Sequence, residues 1–325
     1  MRIRSTGLAL ALAVMTAIPG AMAQSTFPSQ PIRILNGFAA GGSTDIIQRT
    51  VAEEMRNILG QAVVSENKPG ANGIIAMEEV ARAKPDGYTI LIGNSSGATA
   101  NILQRDKISF DPDKKFVILA ALAEGPPATF AARKDLPANT IAELVAYAKA
   151  NPGKLRYASP GTQTSPHLDF VNLARRTGFD FVHLPQKGAG GIVPALLNGD
   201  AQVALVNIAS ISGQVKSGDV KLLAIMHPQK LRDYPDVPTF ADLGFGDIGT
   251  VLWHAMYAPS DIPADILDKL ADAIQKGMQG PKMQALYQNA EMIRPPMKTR
   301  AEADVWLKQG MDRLKKLIAE VGDAK

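Results

Sequence analysis

The feature that most constrains the fold is a regular alternation of short apolar runs and longer helical patterns, which begins at Pro31. Several of the runs are rich in β-branched residues and almost continuously apolar, a pattern typical of strands buried on both faces of a sheet. The predicted strands are Ile32–Gly37, Ala62–Glu66, Tyr88–Gly93, Leu155–Ser159, Phe179–Leu184, Gln202–Asn207 and Val220–His227. The helical stretches between them include Asp45–Leu59, Gly73–Ala83, Ile141–Ala150 and Pro166–Thr177. This alternation predicts βαβ units and an α/β fold.

The length of the chain, 325 residues, corresponds to about two domains of this kind. Two segments rich in Pro and Gly, Gly125–Pro127 and Pro235–Gly249, interrupt the alternation, and the apolar stretch Val251–Ala258 follows the second. We interpret them as crossings, so that the chain builds most of one lobe, crosses to build the other, and returns. The predicted first lobe comprises residues 24–122 and 254–325, the second comprises residues 123–253, and the hinges lie near 120–130 and 245–257.

The N-terminal segment Met1–Ala23 has the pattern of a secretory signal peptide. Arg2 and Arg4 precede an apolar run, Gly7–Ile18, that is shorter than the roughly 20 residues a membrane-spanning helix needs. Ala21–Ala23 is a small-x-small cleavage site. We therefore expect export to a bacterial periplasm with cleavage after Ala23. An uncleaved N-terminal anchor is the alternative.

Composition excludes several functional classes. The chain has no cysteine, which rules out disulfides, thiolate metal sites, cysteine nucleophiles and a lipid anchor on cysteine. Without Arg2 and Arg4, 33 basic residues face 31 acidic ones, a net charge of only +2. So small a net positive charge does not indicate a surface that binds nucleic acid.

Two capping boxes mark helix starts, at Thr140 with Glu143 and at Thr299 with Glu302. After the second, apolar residues recur at helical spacing up to Val321, which predicts an amphipathic helix packed on a lobe. Trp306 lies on the apolar face, so we expect it in the core.

Three loops that follow predicted strands are rich in small and hydroxyl residues. They are Phe38–Asp45, with Gly42 and the hydroxyls of Ser43 and Thr44; Ser159–Ser165, with Gly161; and Gln186–Gly191, in which Lys187 offers a positive charge. Loops at the carboxyl ends of parallel strands are where open α/β sheets bind ligands, and the helix N-termini that follow favour anions. Each loop on its own is also compatible with a plain strand–helix turn.

Enzyme motifs are incomplete. Gly93–Gly97 matches G-x-S-x-G and makes Ser95 a candidate nucleophile, but no oxyanion-hole segment precedes it and the four histidines are dispersed. Ser65–Lys68 matches S-x-x-K without its partner boxes. No histidine pair has the spacing of a zinc site, so we expect no metal and no cofactor. A serine hydrolase using Ser95 is retained only as a second hypothesis.

The whole mature sequence, from Phe27 onward, resembles the Bug-type solute-binding proteins, the extracytoplasmic receptors of tripartite tricarboxylate transporters. The resemblance is carried by the ordered set Pro31–Ile34, Gly41–Asp45, Glu66–Gly73, Lys84–Thr89, Tyr157–Gly161, Lys187-Gly188, Leu197–Asp200 and Tyr234–Thr239. Each segment is short, and the specificity lies in their combination and order.

The resemblance implies a two-lobed periplasmic binding fold of type II, a Venus flytrap whose lobes are mostly parallel sheets flanked by helices. It implies a non-enzymatic, monomeric receptor that closes on a small carboxylate and delivers it to a membrane transporter. A sensor-kinase partner is the alternative to the transporter. The implied contacts are Phe38, Ala39, Ser43, Thr44, Asn94, Ser95 and Ser96 from the first lobe, and Thr162, Gln163, Ser165, Lys187, Gly188 and Ala189 from the second.

Two further positions bear on the ligand. Many members of the family carry an aspartate where this chain has Asn207, and an uncharged amide cannot pair with an ammonium group. If Asn207 reaches the cleft, the ligand is predicted to be a mono- or dicarboxylate, aromatic ones included, without an ammonium group. Trp253 follows the second crossing, where it either lines the cleft or packs at the hinge.

Overall fold

The computed structural model describes residues 27–321 apart from 126, 228–229, 247 and 298, so the predicted signal peptide lies outside the described residues. Its strands are β1 Ile32–Asn36, β2 Val63–Asn67, β3 Thr89–Asn94, β4 Phe116–Glu124, β5 Ala128–Arg133, β6 Arg156–Ser159, β7 Val182–Pro185, β8 Val203–Asn207, β9 Val220–Met226 and β10 Trp253–Pro259. Its α-helices are α1 Ser43–Leu59, α2 Ile74–Arg82, α3 Ser95–Leu103, α4 Pro112–Lys115, α5 Ile141–Ala150, α6 Ser165–Thr177, α7 Ala189–Leu197, α8 Ile208–Lys216, α9 Ala264–Gly277, α10 Pro281–Asn289 and α11 Arg300–Val321. All seven strands predicted from apolar runs are present, most with ends shifted by one to three residues.

Two five-stranded sheets organise the molecule, with the strand orders β2-β1-β3-β10-β4 and β7-β6-β8-β5-β9. The chain passes between them after β4 and again before β10, so the first sheet is built from two separate parts of the sequence. The predicted two-lobed α/β architecture is confirmed. The residue boundaries given for the lobes and hinges stay a prediction.

Both sheets are mixed, but four of the five strands in each point the same way, so they are mostly parallel as predicted. β1 pairs in parallel with β2 and β3, and β6 with β7 and β8. By contrast, β10 runs antiparallel to β3 and β4, and β5 runs antiparallel to β8 and β9. The antiparallel strands β4, β5 and β10 flank the two crossings, where a chain that changes lobes enters the next sheet without a crossover helix.

Each sheet has its own hydrophobic core. Ile34, Ile90 and Met256 lie in the core of the first sheet, and Phe130 and Tyr157 in that of the second. The Tyr157 ring stacks on Phe170 of α6 at a centroid distance of 3.7 Å, which ties this helix to the sheet. A rigid α6 matters because its first turn borders the space between the lobes.

The C-terminal helix α11 covers the crossings, as its apolar spacing predicts. Thr299 Oγ1 accepts from the backbone N–H of Glu302, and the Glu302 carboxylate accepts from that of Thr299, which completes a capping box. Trp306 is buried as expected, and its indole N–H also donates to Glu124 at the end of β4. At α5 the predicted box differs slightly, since Glu143 accepts from Asn139 instead of Thr140.

The two crossings lie side by side. The backbone N–H of Gly125 donates to the carbonyl of Leu252 at 2.6 Å, which joins them directly.

None of the described helices combines the length and apolarity that a membrane span requires.

Candidate ligand-binding site

A cavity lies between the two lobes, at the ends of the central strands. The centre of a water molecule can occupy about 40 Å³ of it, more than the roughly 10–15 Å³ that a single water requires. The lining residues are Phe38, Ala39, Gly42, Ser43, Thr44, Asn94 and Ser96 from the first lobe, and Ala128, Pro160, Ser165, Pro166, Asp169, Leu205, Val206, Asn207, Met226, Thr250 and Leu252 from the second lobe and the returning crossing. The cavity therefore draws on both sheets and suits a small solute held between lobes.

The lobes touch directly around this cavity. Asn207 Nδ2 donates to Ser43 Oγ at 3.0 Å, and the hydroxyls of Ser96 and Ser165 lie 3.3 Å apart. Asn72 Nδ2 donates to the Thr162 carbonyl at 2.7 Å, outside the cavity lining. These pairs join residues far apart in sequence, and together they describe a closed arrangement of the lobes.

Backbone contacts complete the closure. The N–H of Ala39 donates to the carbonyl of Lys187 at 2.9 Å. A Cβ at Gly188 would lie 2.9 Å from Phe38 Cβ, and one at Gly190 would lie 1.9 Å from the carbonyl oxygen of Ala40. The two glycines thus let the second lobe approach the Phe38–Ala40 backbone closely.

Helix N-termini lie at the border of the cavity. Among the described residues, no side chain caps the first turns of α1, α6 and α8, whose N-cap residues are Gly42, Thr164 and Asn207. The first N–H groups of a helix have no partner within it, and the helix dipole places partial positive charge there. At α3, Asn94 caps Gly97 N–H and also donates to Thr44 Oγ1. A carboxylate in the cavity would meet backbone donors from both lobes.

The loop that carries Phe38 is held by side-chain amides. Asn36 Oδ1 accepts from the Phe38 N–H, and Asn67 Nδ2 donates to the Phe38 carbonyl. Behind it, a Cβ at Gly37 would lie 2.3 Å from Gly73 Cα, so this position admits no side chain. The loop is therefore fixed before any ligand arrives.

Among the described residues that line the cavity, Asp169 alone carries an acidic or basic side chain, and the sequence reasoning missed it. It is 3% exposed, and its carboxylate accepts from the Thr250 N–H at 3.1 Å and from Thr250 Oγ1 at 3.4 Å. Burial raises the pKa of Asp169 from 3.8 to about 7, against the opposing effect of the Thr250 and Gly249 hydrogen bonds. Its position four residues after Ser165 was the available signal, because residues four apart share a helix face.

The structure brings nine of the predicted site residues into the cavity lining: Phe38, Ala39, Gly42, Ser43, Thr44, Asn94, Ser96, Ser165 and Asn207. Gly161, Thr162, Lys187 and Gly188 instead form contacts between the lobes outside the lining. Gln163 lies in that same turn, where its N–H donates to His167 Nδ1, and Ala189 begins α7, its side chain outside the described part.

One expectation needs correction, and of two alternatives given for Trp253 the structure favours one. The Lys187 side chain is exposed, and only its backbone carbonyl takes part in closure, so the predicted positive charge does not enter the cavity. Trp253 packs at the hinge and does not line the cleft, because its ring lies 6.0 Å from that of Trp306 and against Gly310 of α11. A flat indole finds more apolar surface there than in a cavity lined by hydroxyls.

Ser95 does not have the surroundings of a nucleophile. It is fully buried, and its Oγ accepts from the backbone N–H of Trp253 at 3.4 Å. Within the described part of the chain no imidazole nitrogen hydrogen-bonds to this oxygen, so the pairing of nucleophile and base is not assembled. The geometry does not favour the hydrolase hypothesis.

Ser159 does meet a histidine, in a structural role. Its Oγ lies 2.6 Å from His183 Nε2, accepts from the Gly161 N–H and lies 3.0 Å from the Gly161 carbonyl. His183 stacks on His167 at 4.0 Å, and burial lowers the pKa values of His183 and His167 to about 3 and about 4. Both rings are neutral near pH 7, and the cluster shapes the turn that precedes α6.

Comparison with known proteins identifies the family. The model of the tripartite tricarboxylate transporter family receptor, TctC, matches residues 47–322. The chain belongs to this receptor family. A Cupriavidus necator relative described as the UPF0065 protein in the gbd 5′ region is 34% identical to this TctC-family receptor over 325 residues, 99% of this chain and 98% of its own length.

Solved structures of similar proteins share the fold. The periplasmic binding protein BugD is 31% identical, with a TM-score of 0.84 over 91% of this chain and 99% of that chain. MatC from Rhodopseudomonas palustris, solved with bound malate, is 26% identical, with a TM-score of 0.83 over 90% of this chain and 100% of that chain. BugD is described as a periplasmic binding protein, and the MatC structure contains malate, a small dicarboxylate.

Proposed function

We propose that this protein is a periplasmic receptor that captures a small organic carboxylate between its lobes. The observation that carries the proposal is the cavity bordered by the first turns of α1, α6 and α8, whose N-cap side chains make no capping hydrogen bond. With Ser43, Asn94, Ser96 and Ser165, they surround the space with hydrogen-bond donors, and the described lining residues include no lysine or arginine. A carboxylate bound to backbone N–H groups inside a dry cavity makes stronger, charge-assisted hydrogen bonds than it would at an exposed surface.

Ligand capture would be coupled to closure. Because donors come from both lobes, a carboxylate that binds them favours the closed arrangement over an open one. The hinges proposed near residues 120–130 and 245–257 include Gly125 and Leu252, whose hydrogen bond joins the crossings. Rotation about this pair would open the cavity to solvent while leaving each sheet intact.

We infer delivery of the ligand to a tripartite tricarboxylate-type transporter, because the family is described by that partnership. The matching experiment is uptake of labelled carboxylate by cells that carry or lack this receptor. Uptake that is lost on deletion and restored by the intact gene supports transport. Unchanged uptake, with a carboxylate-dependent transcriptional response lost instead, would favour the sensor-kinase alternative.

A thermal-shift screen tests ligand capture directly. A ligand that binds the native state alone raises the melting temperature, by an amount equivalent to about 2.7 kcal/mol at a hundred times its Kd. Mono- and dicarboxylates, aromatic ones included, are expected to raise it, and the corresponding primary amides serve as matched controls without charge. A broad carboxylate panel that leaves the melting temperature unchanged would refute the proposed function.

A further inference from the structure

We propose that Asp169 is a specificity-determining residue that selects carboxylates bearing a hydrogen-bond donor, a hydroxyl or an ammonium group, on the carbon chain. The proposal rests on the proposed function and names the ligand class of the same site. Its basis is that the lining residues the structure describes include one acidic side chain and no basic one. A carboxyl group in that position faces whatever the cavity encloses.

The carboxyl group is held in place by a neighbour that leaves it capacity to bind a ligand. Thr250 supplies two donors, one to each carboxylate oxygen. An ionised carboxylate can accept about four hydrogen bonds in all, so this one keeps acceptor capacity beside the bonds from Thr250 and Gly249. The stack of Phe170 on Tyr157 fixes α6, and therefore the direction in which Asp169 presents them.

On the side of Thr250, the cavity wall includes the apolar side chains of Ala128, Met226 and Leu252. Thr250 follows Gly249, where an added Cβ would lie 3.7 Å from Met226 Cβ, and Met226 pairs with Ala128 across the sheet. This wall supplies no cation to neutralise the acid, and the nearby Tyr157 hydroxyl donates to the Pro166 carbonyl. A donor on the ligand is then the natural partner for the free carboxylate oxygens.

The consequence is a difference in binding free energy between plain carboxylates and those that carry a hydroxyl or an ammonium group. At pH 8, where Asp169 is ionised, a plain carboxylate would place a second negative charge beside it with no proton between them, and it would leave a buried acceptor unpaired. Sites built to bond a particular hydroxyl or amine reject the analogue that lacks it far more strongly than apolar pockets reject a missing methylene. The absence of an acid at Asn207 therefore does not exclude an ammonium group, because Asp169 supplies the acid from another element.

Isothermal titration at pH 8 tests this with matched trios that differ at one carbon: succinate, malate and aspartate; glutarate, 2-hydroxyglutarate and glutamate; 3-phenylpropionate, phenyllactate and phenylalanine. In at least one trio, the hydroxy or amino acid is expected to bind about tenfold or more tightly than the plain acid, equivalent to about 1.4 kcal/mol. The hydroxy and amino arms distinguish the two donors. Asp169→Asn is expected to reduce the preference to threefold or less, whereas Asp180→Asn, at an exposed position, should preserve it.

Three results would overturn the inference. The first is that the native protein binds the plain acid as tightly as its hydroxy and amino analogues, or more tightly, in every trio that binds. This result needs no variant, so it decides the matter even if Asp169→Asn fails to fold. A preference that survives Asp169→Asn in a folded protein assigns the selection elsewhere. If no acid in any trio binds, the proposed function itself fails, a result distinct from carboxylate binding without donor preference.

Discussion

At the residue scale, the cavity takes its polarity from hydroxyls, amides and helix N-termini instead of a lysine or arginine. Ser43 and Ser96 are almost fully buried, and each meets a side chain of the opposite lobe. The sequence predicted a cation, Lys187, in the cavity, but its side chain faces solvent. The charged group that lines the cavity is instead the acid Asp169. Local sequence identified the loop around Lys187, but the direction of its side chain depends on how the lobes meet.

Replacing Lys187 with Ala should change carboxylate affinity by less than about twofold, because an exposed charge is screened by water and salt. Titration calorimetry in 0.15 M salt measures this effect. Ser43→Ala is the contrasting variant. It removes the acceptor of Asn207 and a lining hydroxyl, so affinity should fall about two- to tenfold, as expected for one hydrogen bond. A large loss from Lys187→Ala would show that its charge reaches the ligand.

At the element scale, α11 secures the crossings through a close fit at one glycine. A Cβ at Gly310 would lie 2.8 Å from Trp253 Nε1, in a layer that also contains Trp306 and Leu314. The amphipathic spacing of α11 was visible in the sequence. Its partner Trp253 was not, because the two residues lie 57 positions apart and meet only once the first lobe is complete.

Gly310→Ala should therefore destabilise the protein although alanine is the better helix former. The gain in helix propensity is about 1 kcal/mol, whereas overpacking a buried contact costs about 1–3 kcal/mol. Gly213→Ala in α8 is the matched control, since its Cβ would meet nothing within 4 Å and should raise stability by about 0.5–1 kcal/mol. Urea denaturation followed by circular dichroism compares them. A stabilised Gly310→Ala variant would contradict the packing argument.

At the scale of the whole molecule, closure depends on how near two backbones can come. Gly190 belongs to the second lobe, and its Cβ would overlap the carbonyl oxygen of Ala40 in the first. This contact exists only in the closed arrangement. The backbone of Gly190 lies within α7 and has no positive φ, so alanine fits the lobe itself.

Gly190→Ala is thus expected to lower carboxylate affinity about tenfold or more while the melting temperature of the ligand-free protein stays within about 2 °C of the native value. The physical reason is that the added methyl group clashes with the first lobe in the closed, ligand-bound state and so destabilises that state alone. Calorimetry and thermal unfolding measure the two quantities, with Gly213→Ala as the control for affinity. Unchanged affinity would mean that binding does not require this approach of the lobes.

Acidification should destabilise the fold between about pH 6.5 and pH 4. Burial lowers the pKa of His254 to about 3, of His167 to about 4 and of His183 to about 3, each from 6.5. In this interval the unfolded chain binds protons that the folded chain does not, so the free energy of unfolding falls as pH falls. Asp169 acts in the opposite direction, because its raised pKa makes the folded state hold an extra proton between pH 3.8 and about 7.

Three histidines lower the free energy of unfolding as pH falls and one carboxyl raises it, so the net effect of acidification is a loss of stability. Because His183 is only half-buried, we expect about 2 kcal/mol per pH unit near pH 5.5. Urea titrations at half-unit steps of pH measure it. Stability that stays level or rises over this interval would show that these histidines are protonated in the folded protein.

The sequence alone determined the α/β class, seven strands and the loops from which the cavity is built, because apolar periodicity and turn chemistry are local properties. The tertiary structure decided what depends on distant pairings. The antiparallel strands β4, β5 and β10 hydrogen-bond to partners contributed in part by remote segments, and Trp253 finds its surface on α11. Asp169 enters the cavity from the second turn of α6 because the Phe170 ring of that helix stacks on Tyr157 of β6. Which side of a loop faces the ligand is a property of two lobes in contact, and no single segment encodes it.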